Sequence, residues 1–218
     1  SGGQYNVPIV FRGPTASAGM LSSQHSQAFE NWYANCPGLK VIVPSNPYDA
    51  KGLMKSAIRD NDPVIFMESE QMYGDKGEVP EGEYTIPLGV ADIKREGNDV
   101  TIISFGAGVH WALETLAKNP EIKADLLDLR TLQPMDWDAI YASVKKTNKV
   151  IILQEDTLFG GVASDISAMI MENCFEHLDA PVRRVGSLES AIPFMKSLED
   201  QYLPKVRFES ELKELLAY

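Results

Sequence analysis

The chain has 218 residues, 44% hydrophobic and 23% charged, which excludes wholesale disorder and gives enough material for one large domain or two modest ones. Its formal net charge of −11 is spread over both halves, so the basic footprint that nucleic-acid or anionic-membrane binding needs is missing. No apolar run reaches the roughly 18–20 residues that cross a bilayer, no signal-peptide pattern opens the chain, and Cys36 and Cys174 are too far apart in sequence for a metal-type spacing, which favours a reduced compartment over a disulfide framework.

In chain order, the β-branched run Val7–Phe11 predicts a short buried strand, bounded by Arg12-Gly-Pro14. Residues 15–23, small and flexible, form a loop able to approach a ligand. A helix is expected over about 24–35, with Phe29, Trp32 and Tyr33 on one face, ended by Pro37-Gly38. Leu39–Val43 is the next strand. Asn46 then caps a helix that opens on Pro47 and runs to about Arg59, before the strand Val64–Met67. Strand, helix, strand, helix, strand is the pattern of a parallel α/β layer. Residues 69–89 are polar and rich in turn residues, as expected of a connection between domains. Beyond it, strands are expected at 90–95, 100–104, 124–128, 149–153 and 181–185, and helices at 107–118, 136–146, 161–177 and 205–216. Asp136 serves as the N-cap of the second of these helices. The reading is two α/β domains, the first of them thin.

Few residues name a chemistry. His110 falls inside a helix and His177 near a helix end, both structural settings. His25, in Gln24-His-Ser-Gln27, lies at a loop edge flanked by amides and hydroxyls. It could carry a proton in catalysis or simply sit hydrogen-bonded at a helix start. There is no zinc spacing, no phosphate loop and no nucleophile elbow around Ser104 or Ser164. Gly106-Ala-Gly108 is at most half of a dinucleotide fingerprint. The turn Ala57-Ile-Arg-Asp-Asn-Asp62 ends a helix whose last carbonyls lack intrahelical partners, so they could face water or a hard cation.

An ordered set of segments carries more. Gln24-His-Ser-Gln27, Cys36-Pro-Gly-Leu-Lys, Pro47-Tyr-Asp-Ala-Lys-Gly-Leu53, Ala57-Ile-Arg-Asp60, Pro63-Val-Ile-Phe66, Ile86-Pro-Leu-Gly89, Asp128-Leu-Arg-Thr-Leu-Gln-Pro-Met-Asp136 and Leu178-Asp-Ala-Pro-Val-Arg183 together resemble the β subunit of thiamine-diphosphate-dependent 2-oxo acid dehydrogenases, of the pyruvate dehydrogenase (acetyl-transferring) type. The resemblance covers essentially the whole chain. It implies an α/β fold made of the second half of a transketolase-like pyrimidine-binding domain (residues 1–82), a linker (83–89) and a transketolase C-terminal domain (90–218).

It also implies oxidative decarboxylation of pyruvate with transfer of the acyl group to lipoamide; a branched-chain 2-oxo acid is the main alternative substrate. Thiamine diphosphate and Mg²⁺ would be shared with an α subunit or a fused α domain. Further implied partners are a second β chain and a lipoyl acyltransferase core. The location would be cytoplasmic in a bacterium and otherwise organellar, in the mitochondrial matrix or a plastid. The active-site histidine of the family matches His25, and a potassium ion held by backbone carbonyls maps to Ile9, Ala57, Ile58, Asp60 and Asp62. No cofactor-binding residue is assigned within the chain. The cofactor-activating glutamate of the family lies upstream of Val7–Phe11, outside these residues, so a truncated, inactive piece is expected. As an isolated fragment it would then be an assembly and docking module. A sugar-phosphate enzyme of the same superfamily is disfavoured, because Arg130, Arg183 and Arg184 have no accompanying histidines.

Overall fold

The computed structural model describes residues 3–17 and 19–218; Ala18, within the small-residue loop, and the first two residues lie outside them. Two sheets form. The first contains β1 (Val10–Thr15), β2 (Lys40–Ile42) and β3 (Val64–Ser69), all parallel, in the order β1-β3-β2. The second holds β4 (Asp92–Arg95), β5 (Val100–Ser104), β6 (Ala124–Asp128), β8 (Val150–Thr157) and β9 (Arg183–Ser187), in the order β4-β6-β5-β8-β9. Three of its four pairings are parallel, and the fourth, at the β4 edge, runs antiparallel to β6.

Between β6 and β8 in sequence lies β7 (Thr131–Gln133), which crosses over and pairs antiparallel with β2, extending the first sheet. The sequence reading has no strand here. Three residues with one apolar side chain carry no period of their own; the pairing partner decides the conformation.

The helices are α1 (Glu30–Ala34), α2 (Pro47–Ile58), α3 (Ala107–Lys118), α4 (Trp137–Thr147), α5 (Val162–Cys174), α6 (Lys196–Tyr202) and α7 (Lys205–Leu216). The caps behave as their chemistry requires. Asn46 accepts from the Asp49 amide at 2.8 Å with Pro47 at the first helical position, and Asp136 accepts from the Ala139 amide at 3.0 Å. Asn46→Ala should therefore lower stability by about 1 kcal/mol in urea denaturation; an unchanged midpoint would contradict the capping role.

Two expected elements shift. The first strand covers Val10–Thr15 instead of Val7–Phe11 and is exposed or half-buried as far as Pro14 instead of buried, because among the described residues β1 pairs only with β3, and a proline such as Pro14 is tolerated at such an edge. The helix expected over 24–35 shrinks to Glu30–Ala34, with residues 23–25 in a turn. Contacts with the second sheet's domain, described below, set that path.

Alternation along the strands of the first sheet divides its faces. Ile42, Val64 and Phe66 pack with Leu53, Ala57 and Ile86 under α2. Val41, Val43, Ile65 and Met67 point the other way, into a core shared with Ile103, Leu127 and Ile152 of the second sheet and with α4 and α5. The remaining face of the second sheet is covered by α3 and α7 through Trp111, Leu116, Phe208 and Leu212. The two halves are thus joined by a strand and by a common core. Among the described residues the outer edge of β1 has no strand beside it, and Phe11 on it is exposed.

Candidate active site

In parallel α/β sheets, ligands approach the carboxyl ends of the strands. His25 belongs to the loop that leaves the carboxyl end of β1, and it is exposed. Its amide closes a tight turn on the Ser22 carbonyl at 3.3 Å, and the Ala16 amide meets the Gln27 carbonyl at 2.9 Å, so the loop returns to its own base. Ala16, Met20 and Ser22 all have φ between 60° and 64°. Non-glycine residues rarely adopt this left-handed region.

What holds such a path comes from far along the chain. The Ser17 amide donates to Glu155 Oε1 at 2.8 Å, the Ser17 hydroxyl donates to Glu199 Oε1, and the Met20 amide donates to Glu199 Oε2 at 2.9 Å. Beside them the Thr15 hydroxyl donates to the buried Glu30 at 2.9 Å. Burial pushes the Glu155 carboxyl up to about 8, against the lowering effect of the Ser17 amide, and the neighbouring acids Glu30, Glu199 and Asp156 add to the rise. Burial likewise raises Glu30 to about 7, opposed by its backbone hydrogen bond and by Thr15, with Asp156 repelling. On α6, burial first and then Asp156 and Glu155 raise the Tyr202 phenol, against a hydrogen bond with Ser187.

These groups make stability depend on pH. A carboxyl whose folded pKa is raised stabilises the fold fully below its ordinary range near 4.5, and that stability is lost as pH rises through about 7 to 8. Melting at pH 9 should thus fall below melting at pH 6 by at least about 2–4 °C, the effect of roughly 1 kcal/mol in a chain of this size. Glu155→Gln should flatten that fall; an unchanged profile in the variant would contradict the assignment.

A second cluster lies where the ends of β2 and β6 meet. Asp49, fully buried on α2, has Arg130 Nη2 at 2.7 Å, Lys94 Nζ at 3.0 Å and Asn46 Nδ2 at 2.5 Å. Lys94 also contacts Asp92 at 2.6 Å and Asp128 at 3.5 Å. The Ser45 hydroxyl donates to the buried Asp128, whose carboxyl is raised by burial despite Lys94. Burial alone would lower Lys94, but the carboxylates of Asp128, Asp92 and Asp49 outweigh it and keep its pKa high. His110 Nε2 sits 2.5 Å from the Ser45 carbonyl. His110 is therefore placed at the junction between the halves. His177 lies on a half-exposed surface beside Glu176.

The turn over 57–62 is at the other end of the first sheet. The Ile9 carbonyl accepts from Val64 at 2.9 Å, the Asn61 carbonyl from Val7 at 2.9 Å, and the Ala57 carbonyl from Asp60 at 3.3 Å. Among the described residues, the carbonyls of Ile58, Asp60 and Asp62 take no main-chain donor outside the helix. The side chains of Asp60 and Asp62 instead bind Lys40, at 2.7 and 3.0 Å. These carbonyls have lone pairs to offer a hard cation, so the donor set fits one. The six residues of β1 separate this turn from the His25 loop by about 20 Å, so a cation there would be structural. Among the described residues, no group of three or more His, Cys, Asp or Glu side chains could hold a metal, and no helix is long and apolar enough to cross a membrane.

Sequence reasoning names His25 as a candidate and names neither Glu155 nor Glu199. One signal was available: Glu155-Asp156 follows an apolar run at the carboxyl end of a strand. Nothing in sequence pairs Glu199 with a loop 179 positions away.

Residues 1–76 match the transketolase pyrimidine-binding domain family, and residues 89–207 match the transketolase C-terminal domain family. The chain is 50% identical to the acetoin:2,6-dichlorophenolindophenol oxidoreductase subunit beta of Bacillus subtilis, over 93% of this chain and 60% of that protein. It is 45% identical to the pyruvate dehydrogenase E1 component subunit beta of Rickettsia felis, over 94% of this chain and 63% of the relative. Identity to the 2-oxoisovalerate dehydrogenase subunit beta of B. subtilis is 41%, over 100% of this chain and 68% of that one. A split-gene transketolase, solved as an inactive β4 tetramer, shares the fold with a TM-score of 0.77 at 23% identity, covering 97% of this chain and 67% of its own. The chain thus spans about 60% of the length of several of the curated relatives it matches. With both transketolase domain families matched in order and such identity over nearly all its residues, the chain belongs to the transketolase-like β subunits of the 2-oxo acid dehydrogenase family.

Proposed function

We propose that this chain is the β-subunit portion of a thiamine-diphosphate-dependent enzyme that oxidatively decarboxylates pyruvate and passes the acyl group to lipoamide. The observation that carries this reading is the exposed His25 on a loop held in a defined path at the carboxyl end of β1, within a chain of this family. Residues 1–82 act as the pyrimidine-binding part and 90–218 as the C-terminal domain. When bound, thiamine diphosphate with Mg²⁺ supplies the carbon nucleophile and electron sink for loss of carbon dioxide. An α subunit or fused α domain holds the diphosphate, with a second β chain and a lipoyl acyltransferase core completing the assembly.

The protein's own contribution is proton handling and order. His25, reachable from solvent, gives or takes a proton at an imidazole nitrogen as the acyl group is transferred. Potassium, held by the carbonyls of Ile9, Ala57, Ile58, Asp60 and Asp62, fixes the amino end of the first sheet. Activity is assigned to the assembled enzyme and not to these residues alone. The open β1 edge and the greater length of the relatives support that restriction.

A second reading, acetoin as substrate, is favoured by the 50% identity to the acetoin oxidoreductase subunit. Calorimetry with thiamine diphosphate and Mg²⁺ tests the proposal. Binding is expected only when an α subunit accompanies the β chain, and tight binding to these 218 residues alone would overturn it. Turnover with pyruvate, acetoin and 2-oxoisovalerate then separates the substrates.

A further inference from the structure

The His25 loop belongs to the first half of the chain, yet its firmest attachments are to the second. Local contacts within it are few: Ala16 to Gln27, His25 to Ser22, and Gln27 Nε2 to the Ser23 carbonyl at 3.0 Å. The Ser22 hydroxyl reaches the Ile192 carbonyl only at 3.5 Å. Three left-handed non-glycine residues mean that the loop left to itself would choose another path. Two side chains, the half-buried Glu155 and the buried Glu199, prevent that. Glu155, near the end of β8, takes the Ser17 amide; Glu199, on α6, takes the Ser17 hydroxyl with one oxygen and the Met20 amide with the other. Hydrogen bonds to carboxyl groups inside a protein are strong and strongly directional. Met20, so anchored, lies five residues before His25, with the Ser22–His25 turn between them.

We infer that Glu199 and Glu155 are positioning residues: two carboxyl groups of the C-terminal domain that clamp Ser17 and Met20 and thereby aim His25. This rests on the catalytic reading of His25 above. It gives the C-terminal domain a part in the active site. Ser17 is the shared target, so both carboxyls act on one point of the loop.

The test uses the full β chain assembled with its α subunit. Glu199→Ala removes acceptors for two hydrogen bonds, and amide exchange measured by mass spectrometry over 16–25 should rise about 10- to 100-fold. Exchange over β5 and α3 should stay unchanged. Turnover should fall about 10-fold or more through kcat, with KM for pyruvate held, and Glu199→Ala combined with His25→Ala should be no slower than His25→Ala alone, since residues that act as a unit are non-additive. Ser17→Ala, which deletes only the hydroxyl donor, should move the same readouts by less; it carries the test should Glu199→Ala fail to fold. Wild-type exchange over 16–25 in both variants would overturn the clamp, as would a rise shared equally by β5 and α3. Released loop exchange together with full turnover in His25→Ala would instead overturn the catalytic reading of His25, and the positioning role with it.

Discussion

In the assembled enzyme, His25→Ala is expected to lower overall turnover by about 10²- to 10⁴-fold, the usual contribution of one general acid or base. Folding should be unaffected. The imidazole is exposed, and among the described residues no hydrogen bond reaches it, so stability should move by no more than about 0.5 kcal/mol. The loss should fall on acyl transfer to lipoamide more than on release of carbon dioxide, which can be followed separately with an artificial electron acceptor. Wild-type turnover in a well-folded His25→Ala enzyme would remove His25 from the mechanism.

Asp49→Ala should have the largest effect on stability. Its carboxylate is fully buried and faces two cations that are themselves mostly hidden, with side-chain exposures of 16% for Lys94 and 11% for Arg130. Removing one member of a buried charge set strands the others, at a cost of about 3–5 kcal/mol. Asp92 and Asp128 remain beside the cations, which favours the lower end of that range. Since domains are stable by only about 5–15 kcal/mol, the loss is a large share. It also falls at a junction: Asp49 comes from α2 of the first half, and Lys94 and Arg130 from the second. Urea denaturation followed by tryptophan fluorescence should show a midpoint well below the parent's for Asp49→Ala. A shift of under about 1 kcal/mol would mean that the network is solvated and dispensable.

Much of the fold could be read from local pattern. The boundaries of β5, β6, α3 and α7 follow from apolar runs and helical spacing, and those of α2 from Asn46-Pro47. The elements that were misread are those whose conformation is decided elsewhere. Residues 24–29 have helical spacing, but Ser17 and Met20 just upstream are tied to Glu155 and Glu199 and fix a different entry to α1. Thr131-Leu-Gln133 becomes a strand only because Lys40–Ile42 offers it an edge. The polar helix Lys196–Tyr202, also unread, presents little apolar period and is placed through Glu199 and Tyr202. The same division holds for the site. His25 is a candidate by its setting alone, whereas the carboxyls bonded to its loop are distant in sequence and visible only once the two halves meet.

Release of carbon dioxide from pyruvate, measured on the complete β subunit containing these residues, mixed with its α subunit, thiamine diphosphate, Mg²⁺ and a lipoyl acceptor, bears most directly on what this chain does. Turnover should appear only with all components present and should exceed carbon dioxide release from 2-oxoisovalerate; acetoin, which has no carboxyl group to lose, is compared by reduction of the lipoyl acceptor. Pyruvate left untouched by the complete mixture would contradict the proposed function.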